Sequence, residues 1–64
     1  MITIIAKIPC KNAPPRYRKF RQNEIDGQWQ LEFHGAWEFI NQFEVMAICR
    51  MSQNWEQIRE RHFS

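Results

Sequence analysis

Apolar residues recur at two different spacings along this chain, every second residue in the first half and at helical intervals in the second. Ile2-Thr3-Ile4-Ile5-Ala6-Lys7-Ile8 predicts a strand, rich in β-branched residues, with Ile2, Ile4, Ala6 and Ile8 on one face and Thr3, Ile5 and Lys7 on the other. Pro9 is expected to end it, because proline donates nothing to a ladder. Cys10–Pro15 reads as a loop, stiffened toward an extended conformation by Pro14-Pro15. Arg16-Tyr17-Arg18-Lys19-Phe20-Arg21 suits an exposed strand or an arm. As a strand it points Arg16, Arg18 and Phe20 one way and Tyr17, Lys19 and Arg21 the other. Residues 23–27 predict a turn around Asp26-Gly27, the pair favoured in type I′ hairpins. Gln28–Phe33 alternates cleanly and places Trp29, Leu31 and Phe33 on one side of a half-buried strand.

His34-Gly35 interrupts that period. Beyond it Trp37, Ile40, Ala47, Ile48, Met51, Trp55 and Ile58 fall at helical spacings, with Glu44 as the exception on their face. This predicts helix over most of 36–62, with a kink or break near 51–54. A competing division makes 36–43 a helix, Val45–Met51 a buried strand, and 53–62 a last helix capped by Ser52; a short apolar run fits either state. The resulting fold class is α+β. It is one small domain, an antiparallel sheet of about three strands with one face covered by one long or two short C-terminal helices.

Size sharpens this picture. A chain of 64 residues buries only about 60% of its unfolded surface, and its core nets no more than roughly 3–5 kcal/mol. Three tryptophans, five phenylalanines and one tyrosine exceed what so small an interior hides, so some are expected at the surface as contact groups. On a helix, Trp37 and Ile40 share one face and Phe39 and Phe43 another. That leaves an apolar face for a second copy or a different protein, unless residues 44–63 fold back over it.

Charge is segregated. Residues 1–23 carry six cations and no acid; the remainder carries three cations and all seven acids. The basic segment 16–21 is the strongest functional candidate. It could meet phosphates and bases, pair with an acidic protein surface or with the acidic half of the chain, or simply guard a strand edge.

Other chemistry finds little support. Cys10, Cys49, His34 and His62 match no close-paired zinc spacing. His34 reads as a turn residue and Cys49 as a small buried hydrophobe. A Cys49–His34 nucleophile pair has no third orienting group. With only Gly27 and Gly35, no glycine-rich phosphate loop exists. No metal, cofactor or enzymatic activity is expected. Without a signal peptide or an apolar stretch near 20 residues, the chain is expected in a cytoplasm with both thiols reduced and no role at a membrane.

The leading expectation is a small non-enzymatic protein that docks on a protein partner as inhibitor, adaptor or regulator. By size and style alone it is comparable to accessory proteins of phages and other mobile elements. Trp37, Phe39 and Phe43 are expected as anchors, and Arg16, Tyr17, Arg18, Lys19 and Arg21 as the charged and aromatic contacts that steer association. The alternatives are a nucleic-acid binder using segment 16–21, with Tyr17 or Phe20 stacking on bases, and a self-associating or antitoxin-like module forming a homodimer.

Overall fold

A computed structural model describes residues 1–63. Four strands form one antiparallel meander in chain order: β1 (Ile2–Cys10), β2 (Ala13–Gln22), β3 (Trp29–Phe33) and β4 (Ala36–Ile40). Two short helices follow, α1 (Gln42–Arg50) and α2 (Trp55–Ile58), the second running into a π-helical turn over Arg59–Phe63. The α+β class and the antiparallel sheet agree with the sequence. The sheet has four strands where about three were expected.

The extra strand corrects the helix expected from residue 36. His34 and Gly35 have φ of 50° and 82°, the left-handed values a two-residue type I′ hairpin requires at both central positions. The chain therefore folds straight back, and Ala36–Ile40 pairs with β3 in the register Phe33↔Ala36 to Trp29↔Ile40. Trp37 and Phe39 consequently share a face, with Ile40 on the other. Helix begins only at Gln42. Asn41 caps it, its Oδ1 accepting from the Glu44 N–H at 2.9 Å and its Nδ2 donating to Glu44 Oε1 at 3.1 Å.

Val45–Met51 is helical up to Arg50, not a strand, and the break falls at 51–54 as expected. Ser52 closes α1 instead of opening the next helix. Its Oγ donates to the Cys49 carbonyl at 2.6 Å, and its N–H donates to the same oxygen.

The three prolines also sit inside strands. Pro9 occupies the register shift between Ile8 and Cys10, where no ladder donor is needed. Pro14 and Pro15 lie in the part of β2 that extends past β3, whose pairing with β2 covers only Phe20–Gln22, so that stretch is in effect an edge. The expected loop over Cys10–Pro15 shrinks to Lys11-Asn12, with Asn12 at φ 60°. The turn around Asp26-Gly27 does form, as a wider loop closed by Asn23 N–H to Gln28 O at 2.9 Å and Gly27 N–H to Asn23 O at 2.8 Å.

One face of the sheet holds the core. Ile4, Ala6, Phe20 and Trp29 are buried beneath Val45, Cys49 and Ile58 of the helices. Ile4 pairs with Phe20 and Phe20 with Leu31, which places the core row near the start of β1 and the end of β2, where β3 joins the sheet. Trp55 and Phe63 close the far side, the Phe63 ring lying 5.9 Å from Trp29 and 6.2 Å from Trp55.

Candidate docking surface on the open sheet face

All helices lie on one side of the sheet, and strand alternation then decides what the other side displays. Residues on the core side run Ile2, Ile4, Ala6, Ile8 in β1; Phe20 in β2; Trp29 and Leu31 in β3; Ile40 in β4. Their neighbours form the open face: Thr3, Ile5 and Lys7; Tyr17, Lys19 and Arg21; Gln30 and Glu32; Trp37 and Phe39. Three cations and one acid, Glu32, stand on this surface. The other six acids lie in the β2–β3 loop, on the helices, or, as Glu38, on the core side of β4.

The aromatic side chains here are accessible. Phe39 is 74% exposed and Tyr17 63%, while Trp37 is half-buried. Trp37 is covered by a neighbour from two strands away, the Arg21 guanidinium carbon lying 4.0 Å from its ring centre. Between them, on β3, Gln30 Oε1 accepts from Arg21 Nε at 2.6 Å. The guanidinium is thus held against the indole, with its terminal nitrogens making no further hydrogen bond among the described residues. Lys19 approaches Glu32 at 3.9 Å with both side chains substantially exposed, a pairing worth little in water.

The structure gathers Tyr17, Lys19, Arg21, Trp37 and Phe39 from the expected contact set on this one face. It places the rest elsewhere. Arg16 and Arg18 pair with Ile8 and Ala6 and so belong to the core side of the sheet. Phe20 is fully buried in the core, where it meets no base or partner. Phe43 lies in the first turn of α1 and is 84% exposed. Lys7, opposite Tyr17, joins the basic surface. Its odd-numbered place beside Thr3 and Ile5 in the β1 alternation was the available signal.

No group of three or more His, Cys, Asp or Glu converges among the described residues. Cys49 is fully buried and unpaired with Cys10, and burial pushes its thiol up to about 11. His34 stands on the exposed β3–β4 turn with its ring against Phe33. No hydrogen bond joins it to Cys49, so the imagined nucleophile pair does not form. His62 is held below the ordinary imidazole range, first by burial and then by the neighbouring Arg61 charge. Among the described residues no helix is long and apolar enough to cross a membrane. Comparisons with protein-family models, with curated proteins and with solved structures find no match.

Proposed function

We propose that this chain is a small non-enzymatic binding domain that docks, as inhibitor, adaptor or regulator, on an acidic surface of a protein partner. The observation that carries this reading is the gathering of Lys7, Lys19 and Arg21 with Tyr17, Trp37 and Phe39 on a sheet face that no helix covers. Rigid aromatic groups supply most of the affinity at such surfaces. Cations around them raise association rates and select against basic partners. The same charge opposes a face-to-face pair of identical chains, since two surfaces of equal sign would meet.

A second reading is favoured by one feature. Exposed rings of Tyr17 and Phe39 beside cations on an antiparallel sheet are what a single-stranded nucleic acid uses for stacking and phosphate contact. Affinity capture from cell lysate with and without nuclease separates the two readings. A protein retained after nuclease treatment supports docking. Loss of every partner on nuclease treatment transfers the face to nucleic acid.

A further inference from the structure

The two edges of the sheet are treated differently. On β1, the loop between the helices reaches across the outer strand edge. Asn54 Oδ1 accepts from the Lys7 N–H at 3.1 Å, Asn54 Nδ2 donates to the Ile5 carbonyl at 2.9 Å, and the Gln53 N–H donates to the Lys7 carbonyl at 2.8 Å. Half of the outward-facing backbone groups of Thr3, Ile5 and Lys7 are thereby occupied, and Lys7 and Pro9 add the usual deterrents to strand pairing.

On β4 no described residue covers the outer edge, and the only deterrent on the strand is the single charge of Glu38 on the core side. The two-residue hairpin makes Phe33↔Ala36 a hydrogen-bonded pair, and such pairs alternate along an antiparallel ladder. Ala36, Glu38 and Ile40 therefore turn their N–H and C=O inward to β3. Trp37 and Phe39 turn theirs outward, where no described residue receives them. The same two residues carry the side chains of the open face.

We infer that the outer edge of β4 receives an extended acidic segment of the partner protein as an antiparallel fifth strand, a reading that rests on the docking function above. The ladder forms with the N–H and C=O of Trp37 and Phe39. Cross-strand partners share a face, so the residue opposite Trp37 stands beside its indole and the Arg21 guanidinium that lies on it. A carboxylate at that position meets the free terminal nitrogens of Arg21. The residue opposite Glu38 projects to the other side, where an acid is disfavoured. A second copy of β4 brings an acid of its own and, behind it, the same basic face, which is why the occupant is a different chain.

The probe is a synthetic heptapeptide, acetyl-Thr-Glu-Val-Glu-Val-Glu-Thr-amide, titrated into the full chain and followed by amide NMR. Binding is expected to slow exchange of the Trp37 and Phe39 amides at least tenfold. N-methylation of the three glutamates keeps every carboxylate and removes the donors that face β4, so it is expected to weaken binding at least tenfold. Equal affinity of the two peptides overturns strand addition and leaves the open face as a docking surface. Absence of binding by the unmethylated peptide overturns the inference as well, while the nuclease-controlled capture decides the docking reading separately. Protection of the same amides that rises with chain concentration, without peptide, makes a second copy the occupant and also overturns it.

Discussion

The two faces of this sheet hold similar side chains and use them in opposite ways. Phe20 and Phe39 illustrate it. Phe20 is fully buried between Ile4 and Leu31 under the helices, whereas Phe39 is 74% exposed on the far side. A sheet with a single helical layer has only one core, so aromatic residues on its second face contribute little to folding. Their gathering there among cations is the feature on which the proposed docking function rests.

Stability separates the faces most sharply. Phe20→Ala removes a fully buried ring, which costs about 3–5 kcal/mol, as much as a core of this size provides. The variant is expected to be largely unfolded by circular dichroism at 25 °C. Phe39→Ala is expected to change stability by no more than about 0.5 kcal/mol, as exposed substitutions do. A loss from Phe39→Ala comparable with that from Phe20→Ala would mean that the open face is structural.

Asn54 gives an intermediate effect. Asn54→Ala deletes two hydrogen bonds to β1 and leaves the part-buried Lys7 N–H without its acceptor. About 1–2 kcal/mol of stability is expected to be lost, read as a lower denaturation midpoint at unchanged slope. Faster aggregation should accompany it, because the β1 edge opens. Unchanged stability would show that the edge is not held by this side chain.

Thiol reactivity probes the same contrast without mutation. Cys49 is fully buried, and burial pushes its thiol up to about 11, so almost none is thiolate at pH 8. Cys10 is partly exposed. A thiol reagent at pH 8 is expected to modify one cysteine per folded chain, with Cys49 reacting only at the rate of unfolding. Rapid modification of both would place Cys49 outside a closed core.

Much of this arrangement was legible in the residues. The alternation of Ile2–Ile8 and of Gln28–Phe33 identified both strands and their buried faces, and the Arg16–Arg21 alternation correctly separated Arg18 and Phe20 from Lys19 and Arg21. What failed was Ala36–Ile40. Five residues support a two-residue and a helical period almost equally, and His34-Gly35 signals a break without saying which element follows. Pairing with β3, a non-local interaction, decides it. The error had a functional consequence. Read as a helix, the segment divides Trp37 from Phe39; as a strand, it places both on the open face with Arg21. The prolines misled for a related reason, since whether a strand needs a donor at a given residue depends on which neighbours it has.

Charge reversal of the open face tests the central claim most directly. Lys19→Glu with Arg21→Glu alters two side chains on that face, neither of which is in the core. Capture from nuclease-treated lysate should retain a protein partner on the native chain and lose it on the variant at least tenfold, while circular dichroism shows the variant folded, with a lower melting temperature because the Arg21 contacts to Trp37 and Gln30 are gone. Undiminished capture by the folded variant would contradict the claim that this face is the docking surface.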